Sequence, residues 1–463
     1  MTPRDIAFSS VRELGRRLRA GAMSSLALTE IYLERIARLG PAYNAFVTVT
    51  ADRARDEARA ADRELKRGND RGPLHGIPYA AKDLLATAGT PTTWGAVPYR
   101  DQRFDEDATV ITRLRAAGAV LLGKLAMVEL AGGMGYRYAS ASIAGPGKNP
   151  WSTDRWTGGS SSGSGAATAA ALAAFTLGTE TWGSIVTPAA MCGVAGLRPT
   201  LGRVSRHGAM ALSWTLDKIG VLARSADDCG LALAAVAGRD AKDPWSAAAP
   251  YSYRRAGARA GKFRIGVVKS AWEKPEPEVA ATFGAALKML ERIATLEEVS
   301  LPDLPTNQAA GIIINGEVAA AFEDLIDSGQ AKQLTDPVGK LGGYAAELVL
   351  ARDYLKAVRV RELARHAFDA LLAQYDCLAA PSLPGVAPLL SANLEEVFAG
   401  ADPVGGGGNL TGIPCISVPM GFGQGGMPLG IQFVGRAWRE NTVIAVADAY
   451  QRLTDWRTQR PPE

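Results

Sequence analysis

The stretch WTGGSSSGSGAATAAALAAFTLGTETWGSIV, residues 156–186, joins a glycine- and serine-rich run to an alanine-rich run and then to a second serine motif. Its first part has the composition of a flexible linker, but a linker would be flanked by polar, disordered sequence. Here the glycines lead directly into alanines, which are the strongest helix formers. The pattern therefore predicts a rigid turn at the start of a helix, where backbone N–H groups favour anions.

A nucleotide-binding loop is a second interpretation of the same stretch. The phosphate-loop pattern G-x-x-x-x-G-K-[ST] would place a lysine directly after Gly163, but Ser164 stands there. No G-x-G-x-x-G spacing follows a clear strand either. Nucleotide binding is therefore disfavoured, and catalysis by serine is the third interpretation.

The composition is that of an ordinary globular protein, with 463 residues, 47% hydrophobic and 21% charged. The formal net charge is +4, and the short basic clusters carry no interleaved stacking aromatics, so we expect no nucleic-acid partner. Four scattered cysteines without a C-x-x-C pair favour free thiols in a reducing compartment. With no signal-peptide pattern and no apolar run long enough to span a bilayer, we expect a cytoplasmic protein without membrane contact.

Helical and extended patterns alternate along the chain. A helical spacing of apolar residues ends at Gly118 and leads into an apolar strand at 119–122. Further along, residues 262–268 are typical of a strand, 276–294 of a helix and 296–301 of another strand. This alternation predicts an α/β fold with a largely buried sheet.

Histidine is scarce in this chain, which bears on the kind of base a serine enzyme could use. His75 and His207 each stand beside a turn glycine and His366 lies in a helical pattern, so structural roles are favoured for all three. No spacing typical of metal ligands occurs, and we expect neither a metal nor a cofactor. If serine chemistry occurs, the expected base is lysine.

Three motifs point to a known family. They are HGIPYAAKDLLAT at 75–87, GGSSSG at 158–163 and GTETWGS at 178–184. Together they resemble the amidase signature family of serine hydrolases, whose pattern is G-I-P-x-x-x-K-D, then G-G-S-S-[GS]-G, then G-T-[DE]-T-x-G-S-[IV]. The spacing between the two serine motifs agrees, and further landmarks of the family extend over about residues 70–440.

The resemblance implies a fold and a domain organisation. The fold would be α/β, with a central mixed, twisted β-sheet covered by α-helices on both faces. One amidase domain would span 1–463. Its expected parts are an N-terminal helical region at about 1–65, a catalytic signature core at about 66–240, a more variable helical elaboration at about 241–390 and the C-terminal part of the core at about 391–463.

The resemblance also implies a catalytic triad. Ser184 would be the nucleophile, Ser160 would relay a proton from a position that follows a cis peptide bond, and Lys82 would be a neutral base. Because free lysine has a pKa of about 10.4, this base needs a depression of roughly 3 units, which burial can supply. The neighbours of Lys82 in the sequence are suitably apolar, although the adjacent residue is Asp83.

Further roles follow from the same resemblance. The oxyanion hole would consist of the backbone N–H groups of Thr181, Trp182, Gly183 and Ser184. Thr179 and Ser161 would support the relay, and a structural role is an equal alternative for Thr179. The candidate substrate-binding residues are Met134, Gly135, Tyr136 and Trp182. Simple packing beneath the loop is an equal alternative for Trp182, and Trp214 is interpreted mainly as a core residue.

The predicted function is hydrolysis of small aryl or alkyl amides through an acyl-enzyme, extended in some relatives to esters and aryl carbamates (urethanes). A small-molecule substrate would be the main partner, and the chain would be a monomer or homodimer. Val186 stands where many relatives carry arginine, which favours free-standing amidases. One alternative is the glutamine-hydrolysing A subunit of a tRNA-dependent amidotransferase. A non-catalytic scaffold is the other, but it would be expected to have lost Ser184, Ser160 or Lys82.

Overall fold

The computed structural model describes residues 2–257, 261–272, 275–397 and 402–463. Within them the β-strands are β1 (Phe46–Val49), β2 (Pro78–Lys82), β3 (Val120–Leu125), β4 (Lys148–Asn149), β5 (Ser152–Trp156), β6 (Phe175–Glu180), β7 (Ala195–Arg198), β8 (Lys218–Ala223), β9 (Phe263–Val268), β10 (Ala294–Val299), β11 (Cys377–Pro381), β12 (Cys415–Phe422) and β13 (Pro428–Val434).

The α-helices of the same ranges are α1 (Pro3–Ala7), α2 (Val11–Arg19), α3 (Ser25–Tyr43), α4 (Ala51–Lys66), α5 (Thr109–Ala116), α6 (Ser162–Ala169), α7 (Val186–Cys192), α8 (Ala226–Val236), α9 (Pro277–Leu290), α10 (Thr306–Ala321), α11 (Glu323–Asp327), α12 (Gly339–Ala346), α13 (Ala351–Leu372), α14 (Leu394–Val397), α15 (Gly405–Thr411) and α16 (Glu440–Leu453). Short 3₁₀ segments lie at Val97–Tyr99, Glu129–Gly132, Lys269–Trp272, Gln330–Gln333, Gln424–Gly426 and Trp456–Thr458.

A large mixed β-sheet organises these elements. Its strand order is β1-β3-β2-β6-β8-β7-β12-β13-β11-β9-β10, and β4 and β5 form a separate two-stranded sheet. Strands β3, β2 and β6 run parallel to one another, as do β11, β9 and β10, whereas every neighbouring pair from β6 through β8, β7, β12 and β13 to β11 is antiparallel. The sheet is therefore mixed, as predicted.

Helices cover both faces of the sheet interior. Every residue of β2, β3, β6, β7 and β8 is buried. Because successive side chains of a strand point to opposite faces, a strand buried at every position must be covered on both. The edge strand β10, by contrast, carries exposed glutamates. The prediction of an α/β fold with a sheet between helical layers is thus confirmed.

The predicted elements agree with the observed ones to within a few residues. The expected strands at 262–268 and 296–301 correspond to β9 and β10, which pair in parallel, and the helix between them is α9. Strands β9, β10 and β11 extend the main sheet, so the interval 241–390 contributes strands as well as helices.

Residues 156–186 form a shorter helix than their alanine content predicts. Helix α6 begins at Ser162, inside the glycine-serine run, and ends at Ala169. The next alanines form a turn, in which Ala171 adopts a φ of 50°, and β6 starts at Phe175. Helix propensity is overridden here because the chain must reverse to bring β6 beside β2.

Candidate active site

Lys82 lies at the carboxyl end of β2, beside the carboxyl end of β6. The two strands are parallel, with Ala81 opposite Leu177, so that both ends meet at the same edge of the sheet. The Lys82 side chain is fully buried. Its Nζ lies 2.7 Å from Ser160 Oγ and 2.9 Å from Thr179 Oγ1. The amine is thus held between two hydroxyl groups.

Burial changes the protonation of this amine. It lowers the pKa of Lys82 from 10.5 to about 7, because an ammonium ion loses its hydration inside the protein. The negative charges of Asp217 and Glu180 oppose the shift without cancelling it. At neutral pH a large fraction of Lys82 is therefore neutral and able to accept a proton.

Asp83, next to Lys82 in the sequence, has other partners. Its Oδ1 lies 3.2 Å from Lys124 Nζ. Its Oδ2 accepts hydrogen bonds from the Thr93 N–H at 2.9 Å and from the Thr93 hydroxyl at 2.5 Å. Because this carboxylate is committed to Lys124, it does not form an ion pair with Lys82.

The Ser160 turn connects β5 to α6. The peptide bond between Gly159 and Ser160 is cis, as the family resemblance implies. The Val128 N–H donates to the Ser160 carbonyl oxygen at 3.1 Å. A Cβ atom at Gly163 would lie 2.3 Å from the Ala45 carbonyl oxygen, so only glycine allows the turn to approach this closely.

Ser161 connects this turn to β6. Its hydroxyl donates to the Thr179 carbonyl oxygen at 3.2 Å and accepts from the Thr179 N–H at 3.3 Å. Thr179 therefore contacts Lys82 directly through its side chain, whereas Ser161 acts on the backbone that carries Thr179.

Ser184 lies in the loop between β6 and α7, and its side chain is nearly buried. Within the described residues, the N–H groups of Thr181, Trp182, Gly183 and Ser184 donate to no protein acceptor, so four successive donors are available. Gly183 adopts a φ of 85°, which favours glycine. Across the same ranges the Ser184 hydroxyl makes no hydrogen bond, so the structure joins Lys82 to Ser160 but does not join Ser160 to Ser184.

The Glu180 carboxylate anchors the 181–184 loop through hydrogen bonds. Its Oε2 accepts from the N–H groups of Ile185 and Val186 at 2.8 and 3.0 Å, just beyond Ser184. Its Oε1 accepts from Arg198 Nη1 at 2.7 Å. Although burial alone would raise the pKa of Glu180, the positive charges of Arg198 and Lys218 hold it at about 2. The carboxylate thus remains charged and fixes the chain on both sides of the loop.

Asp217 and Lys218 are residues to which the sequence interpretation gave no role. The Thr181 hydroxyl donates to Asp217 Oδ1 at 2.6 Å, and Lys218 Nζ donates to the Thr181 carbonyl oxygen at 3.3 Å. Burial raises the pKa of Asp217 and lowers that of Lys218 well below its usual value. The available signal was the LDK triplet at 216–218, which lies within a landmark segment of the family.

Two cavities flank the 181–184 loop. The larger, of about 400 Å³, is lined by Tyr136, Trp156, Trp182, Gly183, Thr187, Asn307, Leu383, Leu394, Glu395 and Asp402. The smaller, of about 280 Å³, is lined by Leu84, Ala131, Thr179, Thr181, Arg206, His207, Ala209, Met210, Ala211, Leu212, Trp214, Asp217, Lys218, Ile219, Lys242, Asp243, Pro244 and Trp245.

The candidate pocket residues are distributed unevenly over these cavities. Tyr136 and Trp182 line the larger one. Met134 is only 2% exposed, and it packs so closely that a Cβ atom at Gly342 would lie 1.8 Å from the Met134 carbonyl oxygen. Met134 and Gly135 line neither cavity. Trp214, interpreted mainly as a core residue, is 42% exposed and lines the smaller cavity.

No group of histidine, cysteine, aspartate and glutamate side chains among the described residues could hold a metal ion. None of the described helices is long and apolar enough to cross a membrane. Of the histidines, His75 is buried beside Glu64, and His207 lies 3.5 Å from Glu106.

Comparison with known proteins gives matches along nearly the whole chain. A family model described as Amidase matches residues 27–444. The chain is 38% identical, over an alignment of 486 positions including gaps, to the A subunit of the glutamyl-tRNA(Gln) amidotransferase from Chloroflexus aggregans. The alignment covers 99% of each chain.

Solved structures give similar matches. The native peptide amidase from Stenotrophomonas maltophilia superposes with a TM-score of 0.86 at 34% identity, covering 98% of each chain. The A subunit of the glutamyl-tRNA(Gln) amidotransferase from Thermotoga maritima superposes with a TM-score of 0.78 at 27% identity, covering 97% of this chain and 95% of the other.

Proposed function

Because this chain belongs to the amidase family, we propose that it hydrolyses the amide bonds of small molecules, with Lys82, Ser160 and Ser184 as its catalytic residues. The observation that carries the proposal is the buried Lys82 amine, held by two hydroxyls and with its pKa lowered to about 7. A buried lysine with this pKa and no carboxylate partner is costly to maintain, and such groups are concentrated at functional sites.

The first chemical step is acylation. Neutral Lys82 takes a proton from the Ser160 hydroxyl, which in turn takes the proton of Ser184 as its oxygen attacks the carbonyl carbon. Because catalytic hydrogen bonds are often long in free enzymes and tighten around a substrate, the missing contact between Ser160 and Ser184 is compatible with this route. The negative charge on the carbonyl oxygen would be stabilised by the available N–H groups of residues 181–184.

The second step breaks the carbon–nitrogen bond. The proton held on Lys82 returns through Ser160 to the nitrogen, and the amine leaves while Ser184 keeps the acyl group as an ester. A water molecule then attacks this ester, and the same relay takes its proton and returns one to Ser184 Oγ. Amide and water are converted to acid and amine, and the protein ends in its starting state.

The test uses the purified chain alone, with a panel of anilides, aliphatic amides, esters and carbamates. We expect hydrolysis of amides and, in a rapid quench, an acyl adduct on Ser184 that mass spectrometry can detect. Ser184→Ala should abolish both, whereas Ser328→Ala, at an exposed serine, should retain both. Full turnover by Ser184→Ala would refute the proposal.

The names of the curated relatives favour a second candidate, the glutamine-hydrolysing A subunit of a tRNA-dependent amidotransferase. In that case the chain would release ammonia from glutamine for use by other subunits of a complex. The two candidates differ in what the isolated chain does. Glutamine hydrolysis that needs the other subunits, together with no hydrolysis of simple amides by the chain alone, would establish the second candidate over the first.

A further inference from the structure

The smaller of the two cavities is largely apolar. Six of its wall residues are Leu84, Ala131, Met210, Leu212, Trp214 and Ile219. Its volume of about 280 Å³ is well above the roughly 150 Å³ of a cavity that holds benzene. An aromatic ring or a short alkyl chain would therefore fit into it.

This cavity reaches the proton relay. Thr179 lines it, and the Thr179 hydroxyl lies 2.9 Å from Lys82 Nζ. Thr181, the first residue of the 181–184 loop, lines it as well. The larger cavity contacts the loop at Trp182 and Gly183 instead. The two cavities therefore meet the loop at different residues, and of the two only the smaller is lined by a hydrogen-bond partner of Lys82.

The polar groups of the smaller cavity that lie next to the 181–184 loop already have partners. The Thr181 hydroxyl donates to Asp217 at 2.6 Å, and Lys218 donates to the Thr181 carbonyl oxygen at 3.3 Å. Because Asp217 and Lys218 have opposite charges and both contact Thr181, this part of the wall presents no net charge to an ionic group.

Two further cations that line this cavity also have partners. Lys242 donates to Glu106 at 2.7 Å, and Arg206 donates to the Trp214 carbonyl oxygen and lies 3.8 Å from Asp243. An occupant of this cavity would consequently be neutral and apolar.

The chemistry of the reaction decides which part of a substrate belongs there. When the carbon–nitrogen bond breaks, the nitrogen must receive a proton from the relay, so the amine side of the substrate faces Lys82 and Ser160. Taken together with the proposed function, on which this inference rests, the position of the smaller cavity leads us to propose that it binds the amine portion of the substrate. The substrates would then be N-aryl and N-alkyl amides that release an apolar amine, in preference to primary amides that release ammonia.

The test compares matched pairs of amides. Each acid in a small panel (acetic, hexanoic, benzoic and phenylacetic) is supplied as its primary amide and as its N-benzyl amide. Benzylamine and ammonia have similar basicity, so the ratio of the two kcat/KM values reports binding of the benzyl group rather than the ease of bond cleavage. We expect the wild-type ratio, N-benzyl over primary, to be at least about tenfold, because even one methylene in an apolar pocket is worth about tenfold or more.

Two variants connect this ratio to the cavity. Ala211→Leu fills the cavity and Trp214→Ala removes part of its wall, and each should lower the ratio about tenfold. Ala234→Leu makes the same change as Ala211→Leu at an exposed site on α8, and it should keep the wild-type ratio. Trp214→Ala is the safer variant for folding because this side chain is 42% exposed.

The outcomes separate this inference from the proposed function. A wild-type ratio near or below one, or a ratio unchanged in both cavity variants, would overturn the inference while amide hydrolysis itself still stood. A wild-type chain that hydrolyses neither amide of any acid in the panel would overturn the proposed function, and this inference with it.

Discussion

Two buried lysines lie on neighbouring parallel strands, and their surroundings differ. Lys82 ends β2 and Lys124 belongs to β3, where it pairs with Ala81 in the strand register. Neither side chain is exposed. Lys124 Nζ lies 3.2 Å from Asp83 and donates to the Thr92 hydroxyl at 2.7 Å. The partners of Lys82 are hydroxyl groups.

The difference shows that burial does not by itself decide whether a lysine is left without a charged partner. Burial disfavours the charged form at both sites, so it lowers the pKa of Lys124 as it lowers that of Lys82, and it raises the pKa of Asp83. At Lys124 and Asp83 the mutual attraction of amine and carboxylate opposes these pKa shifts. Asp83 is thereby occupied by Lys124, and Lys82 stays without a neutralising neighbour although that carboxylate is the next residue in the chain.

The largest expected effect is on activity. Lys82→Met should lower kcat about 10²–10⁴-fold, because it removes the proton acceptor while keeping an apolar side chain of similar length. Lys124→Met is the matched control and should lower activity far less per folded molecule. Steady-state kinetics on the best amide of the panel measures both, and comparable losses in the two variants would remove the distinction between the sites.

The second effect is on stability and falls on the other lysine. Lys124→Met leaves Asp83 buried without its partner and should lower the free energy of unfolding by about 3–5 kcal/mol. Adding Asp83→Asn to this variant should recover part of the loss, since it removes the unpaired charge. Urea unfolding followed by circular dichroism checks both, and a loss below about 1 kcal/mol would contradict a paired role for Lys124.

A third effect is the pH dependence of stability at Lys82. The pKa of this amine is about 7 in the folded chain and near 10.5 in a free lysine, so between these values the unfolded state binds more protons and stability rises with pH. The wild type should therefore be less stable than Lys82→Met at pH 7, and the gap should close by about 1.4 kcal/mol per pH unit toward pH 10. Lys66→Met, which removes an exposed amine, corrects for general charge effects. A gap that stays constant would mean that Lys82 is charged when folded.

The smallest effect concerns the second hydroxyl at Lys82. Activity should fall as pH drops below about 7, because protonated Lys82 cannot accept a proton. Thr179→Val removes one hydrogen bond that stabilises the ammonium form, so the midpoint of this profile should move to lower pH by about one unit or less. Thr176→Val, on the same strand, is the control and should leave the midpoint in place. A midpoint that rises or does not move in Thr179→Val would exclude this contact as an influence on Lys82.

The sequence could predict features that depend on local pattern. The apolar surroundings of Lys82 and the alternation of helices with strands were accessible from short segments, and the cis bond at Ser160 was implied by the family resemblance. The partner of Asp83 was not, because Lys124 is brought beside it only by the pairing of β2 with β3. No pattern near Asp83 in the sequence indicates that ion pair.

The pocket residues were harder to predict for the same reason. Met134 belongs to a loop that resembles a substrate loop, yet its side chain is buried, with Sδ packed against Gly343. Trp214 is a large apolar residue of the kind that usually packs in a core, yet it is 42% exposed and lines a cavity. Which face of a loop meets solvent depends on distant segments, and a single sequence carries little information about those contacts.

The strand order has a consequence for how the protein is made. Strands β12 and β13 lie near the middle of the main sheet, between β7 and β11, although they come from residues 415–434. While a ribosome synthesises the chain, β7 therefore keeps an unpaired edge through more than two hundred residues of further translation. Completion of the sheet must wait until translation has passed residue 434, so the nascent chain has a long interval in which chaperones can protect that edge.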